Sequence, residues 1–244
     1  MHRILILPQA AQVHQITIDD PRDLHHLVRV LRIKSGEELE CFDGQGWTYR
    51  GRVTHVGAQQ LRVCVDHRTQ EPAARLRLTL AQSLIPPARF EWVLQKATEL
   101  GAARITPVIT SRTTVRPSPR GATHRMARWR RIVTEAAAQC GRATLPVVEE
   151  PQRFEAVVKT LSSRYALLLT LAGSGVPLGE HLKRLGGAAE VVILIGPEGD
   201  FSPEEVSLAQ RAGAHPVSLG KTVLRSETAA IATLAILQHA LGLL

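Results

Sequence analysis

The sequence predicts an α/β protein of two domains, a small β-barrel over residues 1–70 and an α/β domain over residues 75–244 built on a mostly parallel sheet. Three observations carry this. Short runs of period-two hydrophobicity fill the first seventy residues, with one helical stretch among them. The stretch QEPAA (70–74) reads as a linker. Beyond it strands and helices alternate, and several strands are apolar on both faces, as strands covered by helices on both sides must be.

In the first domain, RILIL (3–7) and QITI (15–18) are β-type runs. DPRDLHHLVRVLRI (20–33) is a helix, with Asp20 as N-cap, Pro21 at its first position, and Leu24, Leu27, Val28 and Leu31 at helical spacing. ELECF, WTYRGRVTHV and QLRVCVDH follow as strands, joined by the turns DGQG (43–46) and GAQQ (57–60). In the second domain LRLTLAQSL is a strand. RFEWVLQKATEL is a helix with Phe90, Val93, Leu94, Ala97 and Leu100 on one stripe and Gly101 just past its end. RITPVIT is a strand, and HRMARWRRIVTEAAAQC a helix stopped by Gly141. YALLLTLA, VVILIG and HPVSLG are strands. Ser202-Pro203-Glu204-Glu205 is a capping box that opens a helix running to Gly213. Ser226 is expected to cap a last helix that is apolar nearly all round and must therefore be buried in the domain or in a subunit interface.

Bulk properties narrow the function. A chain of 244 residues buries a real core, and 44% apolar residues is ordinary for a globular protein. The apolar C-terminal segment contains Gln238 and His239, so a buried helix is expected in place of a membrane span. No secretory signal pattern is visible, and Cys41, Cys64 and Cys140 lie far apart with no metal-ligand spacing. The expectation is a cytoplasmic protein with reduced thiols and no metal. Net charge is +8. Residues 104–142 hold nine arginines against one acid, Glu135, so 9 − 1 = +8 and this segment alone accounts for the excess. Arginine forks match phosphate oxygens, and a local excess of them points to a polyanion.

Ligands of parallel sheets sit at the carboxyl ends of the strands. Three glycine-bearing strand ends qualify. LLLTLAGSGVPLG (167–179) imitates a dinucleotide fingerprint poorly: Leu178 stands at the third glycine position, and Pro177 interrupts the helix. No GxxxxGK[ST] phosphate loop exists, which argues against nucleoside triphosphate hydrolysis. VVILIGPEGDFSPEE (191–205) places Gly196 and Gly199 where backbone can approach a ligand, with Glu198 between them. SLGKTVLRSETAAI (218–231) ends a strand at Leu219-Gly220, and its loop carries Lys221, Leu224 and Arg225.

IGPEG-FSPEE followed some twenty residues later by LG---LR-ETAAI resembles the SPOUT-type, trefoil-knotted S-adenosylmethionine methyltransferases. More closely it resembles the RsmE family, which methylates N3 of a uridine in small-subunit ribosomal RNA. HHLVRVLRIKSGEELECFDGQG is similar to that family's N-terminal PUA-like barrel, and QKATELGAARITPVITSRT and RWRRIVTEAAAQCGRATLP are similar to its central motifs. The resemblance spans the chain. It implies a SPOUT trefoil-knot α/β domain behind a PUA-like β-barrel, a homodimer packed through the knot and last helix, and S-adenosylmethionine as cofactor. It further implies a cofactor pocket walled by Leu169, Thr170 and Leu171, by Ile195, Gly196, Pro197, Glu198 and Gly199, and by Leu219, Gly220, Val223, Leu224 and Thr228. Where the family usually has a second glycine after PEG, this chain has Asp200, which tolerates positive φ better than most side chains.

Uridine N3 is protonated at neutral pH, so a base must remove the proton or cations must stabilise the anion. Glu99, Glu135 and Glu227 are candidate bases, and Arg112, Arg142 and Arg225 candidate stabilisers. Arg142 is the first choice, being next to the cofactor loops in the family pattern. Arg3 and Arg29 of the barrel are expected to position RNA, with Arg116, Arg128 and Arg131 tracking phosphates. The expected partner is small-subunit ribosomal RNA or the assembled 30S subunit, with no membrane. Two other readings are a SPOUT enzyme acting elsewhere, such as on the ribose 2′-O of tRNA, and a non-catalytic RNA-binding assembly factor.

Overall fold

The computed structural model describes residues 2–7, 11–12, 14–72, 74, 76–115, 121–162, 164–171, 175–185 and 188–242. It divides into two compact units, Met1–Ala73 with Ala137–Leu145, and Ala74–Ala136 with Pro146–Leu244. Residues 137–145, placed in the second domain by the sequence reading, therefore belong to the first unit. The cause is hydrogen bonding: Leu145 N donates to Gly44 O, Ala143 N and Thr144 N donate to the Glu71 carboxylate, and Arg3 Nη1 donates to Ala137 O.

The first unit is a six-stranded sheet. Its strands are β1 (His2–Leu5), β2 (Ala11–Gln12), β3 (Gln15–Ile18), β4 (Glu38–Phe42), β5 (Trp47–Val56) and β6 (Leu61–Gln70), in the spatial order β1-β4-β5-β6-β3-β2. Only β1 and β4 pair in parallel. Register shifts in the β5–β6 ladder at Arg50/Gly51 and Val53/His55 bend the long hairpin, as bulges do. A Cβ at Gly51 would stand 2.0 Å from Cys64 O, so the bend admits no side chain there. The curled sheet encloses Ile4, Ile16, Leu39, Cys41, Leu61 and Val63, and a helical segment plugs it with Leu24 and Leu27. That segment starts as expected: Asp20 Oδ1 accepts from Arg22 N and Asp23 N, and Pro21 opens α1 (Pro21–Leu24). It then widens into a π-helical turn, His25–Val30, which periodicity did not foretell.

The second unit carries a parallel sheet of β7 (Arg77–Ser83), β8 (Arg104–Ile109), β9 (Val147–Val148), β10 (Gln152–Arg153), β11 (Tyr165–Leu169), β12 (Val176–Pro177), β13 (Glu190–Ile195) and β14 (Ala214–Ser218). The order is β10-β8-β7-β13-β11-β14-β12, with β9 beside β8. Its helices are α2 (Pro87–Glu99), most of α3 (Ala122–Cys140), α4 (Phe154–Val158), α5 (Leu178–Leu182), α6 (Pro203–Arg211) and α7 (Ser226–Ala240). Alternation along β13 divides the core. Val192 and Leu194 face the layer of α4 and α6, with Phe154, Phe201, Val206 and Ala209. The alternate residues Val191, Ile193 and Ile195 then turn to the other face, where α7 packs on β13, β7 and α2. Both faces are dry, which is why the strand reads as an unbroken apolar run.

Two connections cross at the carboxyl edge of this sheet. β11 and β12, consecutive in the chain, flank β14, and α7, which follows β14, packs back on β13 and β7 beyond β11. Ordinary sheets avoid such crossings, and a knotted topology requires them.

Candidate functional site

The crossing encloses a cavity of about 440 Å³, within the usual range for a small-molecule site. The end of β11 contributes Leu169, Thr170 and Leu171, the start of β12 adds Gly175, and the end of β13 contributes Ile195, Gly196, Pro197, Glu198 and Asp200. The end of β14 and the loop after it contribute Val217 through Leu224, and the start of α7 adds Arg225, Ser226 and Ala229. All predicted wall residues line this cavity except two. Gly199 turns its carbonyl away to accept from Arg112 Nη1 at 2.7 Å, and Thr228 is exposed on α7. Gly220 has φ +123, and a Cβ there would meet nothing within 4 Å, so its backbone faces open cavity space.

Each wall is fixed from behind. Ser226 does not cap α7, whose N-cap is Arg225. Its buried hydroxyl donates to Gly196 O at 2.6 Å and accepts from Gln82 Nε2 at 2.8 Å, which ties the starts and ends of α7, β13 and β7 together. The capping box at Ser202 and Glu205 is formed. The same Glu205 carboxylate accepts from Ser111 N and Ser111 Oγ at 2.7 and 3.0 Å and so anchors the loop after β8. Gln82, Glu205 and Ser111 were not foreseen as site residues. The readable signal for the first was Gln82-Ser83, two adjacent polar residues that break the alternation at the end of a strand.

The candidate catalytic residues are dispersed. Arg225 lines the cavity and its side chain is exposed. Arg112 does not line it and is engaged with Gly199 O and Phe201 O. Glu99 lies ten residues along α2 from Arg89, roughly 15 Å at 1.5 Å per residue, and its carboxylate is held by Lys96 at 2.8 Å. Arg89, at the opposite end of α2, reaches Glu198 of the cavity wall at 3.1 Å, so Glu99 stands at the far end of that helix. Arg142 belongs to the first unit, where its Nη2 donates to Thr144 Oγ1 at 3.3 Å. Burial lowers its guanidinium pKa, and Glu71 opposes that shift. Glu135 is exposed and paired with Arg131 at 2.7 Å. Glu227 follows Ser226 in the first turn of α7. Its Oε1 is 3.8 Å from Arg89 Nε, and its Oε2 is buried with no partner among the described residues.

Of the arginines read as an RNA surface, Arg29 is exposed on the π-helical turn. Arg3 is partly buried: its Nε is 2.8 Å from Glu40 and its guanidinium stacks 4.6 Å from the Phe42 ring, so its groups hold the barrel together. Arg128 forks onto Glu91, and Arg131 pairs along its own helix with Glu135. Arg104 pairs with Glu149. Arg116 lies outside the described residues. Among the described residues no group of three or more His, Cys, Asp or Glu could hold a metal ion, and no helix is long and apolar enough to cross a membrane.

The family profile described as an RNA methyltransferase domain matches residues 72–238, and that of an RNA methyltransferase PUA domain matches residues 18–64. The ribosomal RNA small subunit methyltransferase E of Synechocystis is 36% identical over 238 residues, 96% of this chain and 76% of that protein. Its Mycobacterium tuberculosis counterpart is 30% identical over 90% of this chain and 84% of its own length. Among solved structures, the small subunit methyltransferase E of Neisseria gonorrhoeae bound to S-adenosylmethionine superposes with a TM-score of 0.86 at 32% identity, covering 98% of this chain and 97% of that one. A Legionella pneumophila methyltransferase with bound S-adenosylmethionine gives 0.87 at 32% identity, with the same coverage.

Proposed function

The chain belongs to the ribosomal RNA small subunit methyltransferase E family, and from that premise we propose that it methylates N3 of a uridine in 16S ribosomal RNA, with S-adenosylmethionine as donor. The observation that carries the reading is the cavity at the crossed strand ends. Leu169, Leu171, Leu219, Val223 and Leu224 offer apolar faces to an adenine ring, and glycine-bearing backbone at Gly196 and Gly220 offers close polar approach. The carboxylate of Glu198 suits a cationic ligand. When bound, the cofactor supplies a methyl group on a sulfonium, which needs no metal.

The chain's own residues handle the proton and the charge. Arg225, which lines the cavity together with Lys221, is a cation able to stabilise the uridine anion spread over O2 and O4. Glu227, two residues past Arg225 and with one buried oxygen that has no partner among the described residues, is the proton acceptor we prefer over Glu99 and Glu135. Exposed Arg29 and Arg131 position the RNA. A second copy of the chain covers the outer face of α7, where Ile236 is 41% exposed in the single chain, and the dimer works in the cytoplasm on small-subunit ribosomal RNA, free or in the assembled 30S subunit. The test is transfer of labelled methyl groups from S-adenosylmethionine to small subunits from a strain lacking the enzyme. Subunits are expected to take up label. Cofactor binding without transfer to subunits or free RNA would favour a non-catalytic assembly factor.

A further inference from the structure

Asp200 has φ 60, and among the described residues it shares positive φ with only one other non-glycine, Arg32. That backbone region is the natural home of glycine, and Asp is among the few side chains that tolerate it. One oxygen of the side chain carries two hydrogen bonds: Oδ2 accepts from Thr170 Oγ1 at 2.9 Å and from Leu171 N at 2.8 Å. The β11–β13 ladder stops at the pair Leu169↔Ile195. Past that point the two strands diverge into separate walls of the cavity, and the Asp200 carboxylate is what joins them. Gly196 completes the fit, since a Cβ there would lie 3.2 Å from Asp200 Oδ1.

We propose that Asp200 is a positioning residue of the cofactor pocket, whose carboxylate clasps Thr170 and Leu171 to the 196–200 turn and holds the pocket in its binding shape. This rests on that cavity being the cofactor site. An ionised acceptor makes stronger hydrogen bonds than a neutral one, and a wall fixed before binding spares the ligand the entropy of ordering it. Leu171 is 59% exposed, so little packing holds it in place.

Three proteins decide the matter: wild type, Asp200→Gly and Asp200→Asn. Glycine adopts φ 60 without strain, so the first variant keeps the turn and removes only the clasp. Asparagine keeps tolerance of that φ and one acceptor oxygen. Two readouts are taken: calorimetric S-adenosylmethionine affinity, and hydrogen exchange of the Leu171 amide by NMR without cofactor. For Asp200→Gly, Leu171 exchange is expected to quicken about tenfold or more and the dissociation constant to rise about tenfold, the scale of a lost charged hydrogen bond. Asp200→Asn is expected to stay within about threefold of wild type on both. Glycine behaving as wild type in both readouts would overturn the clasp, as would asparagine failing as badly as glycine. A wild-type protein that did not bind S-adenosylmethionine would sink the pocket assignment, while the Leu171 exchange would still decide the clasp.

Discussion

Ser226 joins three elements through one hydroxyl, and its surroundings show how finely the pocket depends on single groups. Donor and acceptor are both used, toward Gly196 O and from Gln82 Nε2, in a buried setting. Ser226→Ala leaves both partners short of a bond, at about 1–3 kcal/mol each. Thermal unfolding should fall by several degrees, at roughly 2–4 °C per kcal/mol for a chain of this size, and S-adenosylmethionine affinity should fall with it because Gly196 walls the pocket. An unchanged melting temperature would contradict this. Sequence placed Ser226 at the helix start, where a serine usually caps. Its true role needs Gln82 and Gly196, 144 and 30 residues distant in the chain, and local pattern carries no such information. Asp200 was legible in part: its tolerance of positive φ could be anticipated, whereas its bonds to Thr170 and Leu171 could not.

The strand and helix ends followed local chemistry most closely. Gly101 and Gly141 adopt φ +78 and +87 just past α2 and α3, and the capping box at Ser202 forms as its spacing requires. Two-residue strands such as β9 and β12 escaped notice, since their pairing is set by neighbouring strands and not by their own pattern. The π-helical turn did too, because one widened turn barely disturbs helical spacing. Beside β12, α5 contributes an unused titratable group. His181 is 3% exposed, its Nδ1 lies 2.9 Å from Tyr165 Oη, and His215 and Arg184 are the nearby positive or potentially positive groups. Burial first, then His215 and Arg184, depress its pKa below 6.5, with Glu180 and a backbone carbonyl opposing. A depressed histidine pKa means the unfolded chain takes up the proton first, so stability falls as pH drops below about 6.5. Urea midpoints at pH 7.5 and 5.5 should therefore differ more for wild type than for His181→Gln. Equal differences would show that His181 stays neutral in both states or protonates freely in the fold.

The whole molecule is where the sequence was least sufficient. A knot is a relation among distant connections, invisible to periodicity, and resemblance alone raised the expectation. Charge was half legible. The local +8 of residues 104–142 is real, but Glu91 and Glu149 from outside that segment pair with Arg128 and Arg104, and Arg112 is spent on backbone carbonyls. Fewer arginines are free than the count suggests. Binding to ribosomal RNA should still weaken with salt, by roughly forty- to a hundred-and-fiftyfold between 50 and 200 mM for about three or four phosphate contacts. A flat response would remove the arginines from the interface.

The most direct test of the account is the identity of the nucleoside made. Small subunits from a strain lacking the enzyme are incubated with the protein and S-adenosylmethionine, and their RNA is digested and resolved by mass spectrometry against standards. The account predicts N3-methyluridine, lost when Arg225 is replaced by alanine although the cofactor still binds. A 2′-O-methylated nucleoside, or a methylated base other than uridine, would contradict it.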